Sequence, residues 1–200
     1  MEEKRIDHMK YLPGMEVLDS TMLDDVTRYH DAFCNEAYTA DNVKTALSKQ
    51  RLTPEDFMAL LSTAAIPYLE EMAQKAHTVT RRHFGNTISI FTPVYFANYC
   101  DNYCIYCGFN SHNKIKRARL NDAELHQECQ NIANTGIEEV LMLTGESPKM
   151  SDIRYIGNAV KIARQYFRAV GMEIYPVNSD DYKYLHECGA DYVTVFQETY

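Results

Sequence analysis

The chain has 200 residues, 46% of them hydrophobic, and a formal net charge of −8 at pH 7. That is enough apolar material for a substantial single core, while the acidic balance argues against a nucleic-acid partner, since phosphate binding leaves a basic footprint. No apolar run approaches membrane-spanning length and residues 1–10 are charged throughout, so the reading is a cytoplasmic chain with no signal peptide and no membrane partner.

Residues 1–35 have weak periodicity and read as an extended arm or a partner contact, and residues 39–50 read as a short helix. Thr53-Pro54-Glu55-Asp56 combines an N-cap, a first-turn proline and an acidic first turn, which predicts a helix start. Phe57, Leu60, Leu61, Ala64 and Ala65 follow at helical spacing as a packing stripe, and Pro67 kinks or restarts the helix. Residues 1–85 are thus expected to be a mainly helical N-terminal extension.

The period changes after Gly85-Asn86, where residues 87–95 predict a strand. Asn121-Asp122-Ala123-Glu124 resembles a capping box and opens a helix that ends near Thr135-Gly136. Residues 137–143 predict a buried strand ending at Thr144-Gly145-Glu146, and Ser151 is expected to cap a helix running to about Phe167. Residues 172–177 predict the next strand, Ser179 caps a helix that stops at Gly189, and residues 192–197 predict a fourth strand. Strands alternating with helices imply an α/β fold with a parallel sheet, whose ligands sit at the carboxyl ends of the strands. Residues 86–200 are expected to form about half of a TIM-type (β/α) barrel with four strands.

Cys100, Cys104 and Cys107 lie at one such strand end, in Asn98-Tyr99-Cys100-Asp101-Asn102-Tyr103-Cys104-Ile105-Tyr106-Cys107-Gly108-Phe109. Three thiolates on one short loop can hold three irons of a [4Fe–4S] cluster and leave the fourth iron open. The alternative is a zinc site with His112 as a fourth ligand in a closed tetrahedral shell. Clustered cysteines in a cytosolic chain point to metal or redox chemistry rather than disulfides. Cys34, Cys129 and Cys188 read as small buried apolar residues. The basic run Lys114-Ile115-Lys116-Arg117-Ala118-Arg119 reads as a solvated loop, with attraction of an anionic ligand as the alternative.

The Cys-x3-Cys-x2-Cys spacing, with Tyr106 before the last cysteine, resembles the signature of radical S-adenosylmethionine enzymes. Phe84-Gly85-Asn86-Thr87, Pro93-Val94-Tyr95, Cys107-Gly108-Phe109, Lys114-Ile115-Lys116-Arg117, Leu143-Thr144-Gly145-Glu146 and Gln197-Glu198-Thr199-Tyr200 together resemble the aromatic amino-acid lyases of that group. The similarity runs from residue 40 to residue 200, and it is strongest to the tyrosine lyases of thiamine thiazole formation. The resemblance implies that Cys100, Cys104 and Cys107 ligate the cluster and that S-adenosylmethionine chelates its open iron. Tyr106 would lie near the adenine, Thr144, Gly145 and Glu146 would receive the methionine amino group, and Glu173 and Glu198 would hold the ribose or the methionine moiety. An ammonium suits backbone carbonyls and a carboxylate as acceptors. Tyr95 would face the amino-acid substrate. Each also has a plain structural reading: Tyr95 and Tyr106 as packing residues, Glu146, Glu173 and Glu198 as strand-end or helix-start charges.

The activity implied is cleavage of the Cα–Cβ bond of L-tyrosine to 2-iminoacetate (dehydroglycine) and 4-cresol. The implied partners are an electron donor such as flavodoxin or ferredoxin, and thiazole synthase. Two other readings stay open: the tyrosine lyase of [FeFe]-hydrogenase maturation, and an inactive metal-binding fragment that acts as an interaction module. The relatives carry eight strands where four are read here, so a truncated chain is expected, competent for cofactor but lacking the residues that hold the substrate carboxylate. A half barrel also leaves two open sheet edges.

Overall fold

The computed structural model describes residue 11 and residues 13–195. The chain divides into two compact units: Leu18–Ile88 forms one, and the described residues up to Val17 join those from Ser89 onward in the other.

The first unit holds four helices, α1 (Met22–Ala32), α2 (Ala40–Ser48), α3 (Pro54–Leu61) and α4 (Leu69–Phe84), with a 3-10 turn at Thr63–Tyr68 that accommodates Pro67. Its core is small: Val43, Leu47 and Ala65, with Leu60, Ala64, Tyr68 and Met72 packed against them. α3 starts where its cap predicts, and Asp56 returns the bond by accepting from the Thr53 amide at 2.9 Å. That carboxylate also takes both hydrogen bonds of a Lys49 ion pair at 2.7 and 2.9 Å, which turns Asp56 inward and leaves Phe57 and Leu61 exposed, against the expected stripe. The Lys75 ammonium caps the end of α2, donating to the carbonyls of Leu47 and Lys49. α1 corrects the expectation of an extended arm over its residues: it is a regular helix, with no buried residue. Cys34 is likewise exposed rather than buried, with its thiol 3.5 Å from Glu36 Oε2.

The second unit is a βα repeat: β1 (Phe91–Ala97), α5 (Asp122–Ala133), β2 (Glu139–Thr144), α6 (Ile153–Ala163), β3 (Ala169–Glu173), α7 (Ser179–Glu187) and β4 (Tyr192–Thr194). The four strands form one parallel sheet in the order β1-β2-β3-β4, an α/β half barrel that does not close. The predicted capping box opens α5, with Glu124 N bonded to Asn121 Oδ1 at 3.0 Å, and Gly136 ends the helical segment at φ +87°, a conformation that favours glycine. Val94, Phe96, Val140, Met142, Val170 and Met172 project to the helix side and bury against Leu125, Ile156, Val160 and Leu185. Pro93 is tolerated because β1 is an edge strand among the described residues.

Several boundaries differ from the sequence reading, and β1 begins at Phe91 rather than residue 87. β3 begins at Ala169, three residues before the expected Met172, because pairing with β2 starts at Glu139↔Ala169, and Ile174 onward has already left the sheet. α6 is capped by Asp152, whose Oδ1 accepts from Tyr155 N at 2.9 Å, since Ser151 is buried and engaged elsewhere. α7 takes its cap from a distance: Glu16 Oε2 accepts from Ser179 N at 2.9 Å, while Asn178 bonds Gly14 O and Glu16 N. Hydrogen bonding to Ser179 holds the Glu16 carboxyl below its ordinary range. As expected, Cys129 and Cys188 are buried, and among the described residues no helix is long and apolar enough to cross a membrane.

Candidate active site

Strand register builds the floor of the site. Tyr95, Leu143, Glu173 and Thr194 pair in sequence across the sheet, so their side chains share one row at the carboxyl end of its open face. All four line a cavity of about 600 Å³. Beneath that row Tyr192 lies across Gly171, where an added Cβ would meet the ring at 2.2 Å, and its hydroxyl donates to Glu139 at 2.7 Å. Burial, together with Glu139, pushes the Tyr192 phenol up to about 12.

The cysteine loop forms the wall. The register of β1 slips between Tyr95 and Ala97, a bulge that redirects the chain just before the loop. Cys100, Cys104 and Cys107 are partly buried and not in disulfides, and all three line the cavity. Asn110 Nδ2 donates to Cys104 O at 2.9 Å, and Asn113 Nδ2 to Gly108 O at 3.2 Å, fixing the turns that present the sulfurs. The Tyr95 ring meets Phe109 edge to face, with centroids 5.3 Å apart.

The end of β2 joins wall to floor. Gly145 N donates to Ala97 O at 3.1 Å and Asp101 N to Glu146 O at 2.8 Å, so the two segments run in direct contact. A Cβ on Gly145 would lie 2.3 Å from Tyr99 O and 3.0 Å from Cys100 Cβ, so only glycine fits. Asn102 Nδ2 donates to Glu146 Oε2 at 2.6 Å and holds that carboxylate at the cavity's edge. The Thr144 hydroxyl donates to Ser151 Oγ at 2.9 Å, and Tyr175 OH to Ser151 O at 2.6 Å. Desolvation raises the Glu173 carboxyl above its ordinary range and pushes the Tyr175 phenol up to about 12.

Of the residues expected from sequence, Tyr95, Cys100, Cys104, Cys107, Thr144, Gly145, Glu146 and Glu173 thus converge on one cavity. Tyr106 does not line it and is 55% exposed. Glu198 lies outside the described residues. Sequence reasoning missed Asn102, Phe109 and Tyr175, because each acquires its role from a partner distant in the chain. The basic run is exposed, as a solvated loop should be, except at Arg117, which is half-buried and turned onto backbone carbonyls; Arg119 stacks 3.7 Å over the Tyr155 ring.

The donor set fits an iron–sulfur cluster. Three thiolates spread along one cavity wall suit ligands to separate irons, with room beside them for a bound cofactor. His112 does not line the cavity but stacks on Tyr103, with centroids 6.0 Å apart. Among the described residues no three His, Cys, Asp or Glu side chains are gathered tightly enough to share one metal ion.

The parallel half barrel carries its three-cysteine loop at the strand ends, a donor set and a place suited to an iron–sulfur cofactor. The Radical SAM superfamily profile matches residues 94–200, more than half of the chain, and the chain belongs to that superfamily. Its cofactors are a [4Fe–4S] cluster and S-adenosylmethionine. The chain is 41% identical over 162 residues to 2-iminoacetate synthase of Salmonella typhimurium, a match covering 81% of this chain and 43% of the relative. It is 31% identical over 153 residues to 3-methylornithine synthase of Methanosarcina barkeri, covering 75% and 43% respectively. Among solved structures, HydG, a maturase of the [FeFe]-hydrogenase, superimposes with a TM-score of 0.73 at 28% identity, over 92% of this chain and 42% of HydG. The chain therefore spans less than half the length of the relatives it matches.

Proposed function

We propose that the chain carries the cofactor-binding part of a carbon–carbon lyase that converts L-tyrosine to 2-iminoacetate and 4-cresol for thiamine thiazole formation. The observation that carries this reading is the 41% identity to 2-iminoacetate synthase over 162 residues, 81% of this chain. Cys100, Cys104 and Cys107 hold the cluster. When bound, the cluster and S-adenosylmethionine would supply one-electron radical chemistry, with the electron coming from an external donor.

The chain's own residues do the positioning. Thr144, Gly145 and Glu146 receive the methionine ammonium, and the Asn102 bond keeps Glu146 turned towards it. Glu173 and Glu198 take the ribose or methionine polar groups, and Tyr106 covers the adenine. Tyr95, edge-packed on Phe109 at the cavity rim, borders the amino-acid substrate and helps keep water from it. An electron donor of the flavodoxin or ferredoxin type and thiazole synthase are the proposed partners. The likeness to HydG favours a second reading, the tyrosine cleavage of hydrogenase maturation. We also infer that the functional boundary lies near residue 85, with a helical extension before the half barrel.

The test is anaerobic reconstitution with iron and sulfide, followed by electron paramagnetic resonance of the dithionite-reduced protein with and without S-adenosylmethionine. 5′-Deoxyadenosine and 4-cresol are assayed after tyrosine is added. A signal that shifts with S-adenosylmethionine is expected, together with tyrosine-dependent cresol once the remaining barrel is supplied. Zinc without a cluster would overturn the reading at the metal. A shifted signal with a product from another amino acid, and no cresol, would overturn it at the substrate.

A further inference from the structure

The cysteine loop is closed at its neck by backbone pairing. Asn98 N donates to Ala118 O at 3.1 Å, Leu120 N to Phe96 O at 2.9 Å, and Ala97 forms an antiparallel bridge with Arg119. The Asn98 side chain reinforces it, bonding Lys116 O at 3.0 Å and Ala118 N at 2.7 Å. Within this neck one side chain leaves the pattern of its basic neighbours. Arg117 is half-buried and turns into the loop, where Nη1 donates to Asn98 O at 2.6 Å and to Phe109 O at 2.7 Å, and Nη2 donates to Asn110 O at 2.7 Å.

We propose that Arg117 is a positioning residue that staples the limb just after Cys107 to the end of β1 and so sets the spacing of the three thiolates before metal enters. The inference rests on the cluster reading above. The guanidinium suits the task because its donors diverge in a rigid plane and reach three carbonyls at once. A lysine keeps the charge but is a compact donor on a flexible stem, so it cannot reproduce the fork. Asn110 links the staple to the sulfurs: its carbonyl accepts from Arg117 while its amide nitrogen holds Cys104 O. Cys107 is two residues from Phe109, the other carbonyl held on that limb. The near limb is tied to the end of β2 by Asp101 N and Asn102 Nδ2, both donating to Glu146, and other loop bonds join the two limbs, as Ser111 N does to Asn102 O at 2.8 Å. Arg117 ties the far limb to the sheet itself.

Two measurements test this on Arg117→Gln and Arg117→Lys. The first is amide hydrogen exchange on the metal-free chain. Both variants are expected to exchange about tenfold faster across residues 107–113, as the loss of charge-assisted bonds predicts, with β2 and β3 unchanged. The second is anaerobic reconstitution, where both are expected to lose iron to a chelator several-fold faster than the parent chain and to show a broadened resonance with S-adenosylmethionine. Unchanged exchange in residues 107–113, or a lysine variant that holds iron as the parent does, would overturn the staple. If Arg117→Gln also unprotects β2, the lysine variant alone decides. A parent chain that takes up no cluster, while the exchange result holds, overturns the cluster reading and leaves the staple standing as a property of the loop.

Discussion

At the residue scale, Glu173 shows how the site is held at some cost to stability. It stands in the floor row between Leu143 and Thr194, where desolvation raises its folded-state pKa above the ordinary carboxylate value. A group with a raised folded value binds its proton more tightly in the folded chain, so its favourable contribution is full below the unfolded value and lost as pH rises through the folded one. Wherever the carboxylate is ionised, its desolvation therefore counts against the fold. Glu173→Gln is expected to raise the melting temperature of the metal-free chain at pH 7, with the gain vanishing below the ordinary carboxylate range, while weakening S-adenosylmethionine binding. Equal melting at pH 7 would show that burial does not penalise this carboxylate. A strained charge kept at a cavity floor is a recurrent mark of a binding group.

At the element scale, the decisive contact is between the end of β2 and the cysteine loop. Gly145 N and Asp101 N both donate across it, and Tyr99 O occupies the space of a Cβ on Gly145. The obstacle is backbone, so it cannot swing aside as a side-chain tip would. Gly145→Ala is expected to cost about 1–3 kcal/mol, as overpacking of a tight contact does, and to lower iron uptake on reconstitution more than it lowers helix content. Denaturant unfolding and iron analysis check the two effects separately. Much at this scale was readable in advance. The caps at Thr53 and Asn121 and the βα alternation are local signals, written in a few adjacent residues. The start of β3 and the caps of α6 and α7 were misplaced because they depend on strand register, on Ser151 being drawn to Thr144, and on Glu16 reaching Ser179.

At the scale of the whole molecule, the four-stranded sheet ends in two unpaired edges among the described residues. Phe91 on the β1 edge is 49% exposed and Tyr95 55% exposed, so apolar surface that a closed barrel would cover meets solvent. Exposed apolar edges recruit further strands. The 200-residue chain is expected to bind a hydrophobic dye and to self-associate as its concentration rises. Phe91→Lys is expected to weaken both, with sedimentation velocity and dye fluorescence as the checks. A monomer at all concentrations with no dye binding would mean that the open face is satisfied within the chain.

The sequence by itself determined the cysteine loop, the superfamily and the order of strands and helices, because each rests on residues close together in the chain or on a fixed period. Eight of the ten expected site residues meet at one cavity for the same reason: strand ends in a parallel sheet share a side, so naming the strands names the rim. Only the tertiary structure decided what holds those residues in place. Asn102 is 44 residues from Glu146, Arg117 is 19 from Asn98, and Tyr175 is 24 from Ser151. An amide, a guanidinium and a phenol carry no local sign of such partners, since their hydrogen bonds are chosen by proximity after folding rather than by neighbours in sequence.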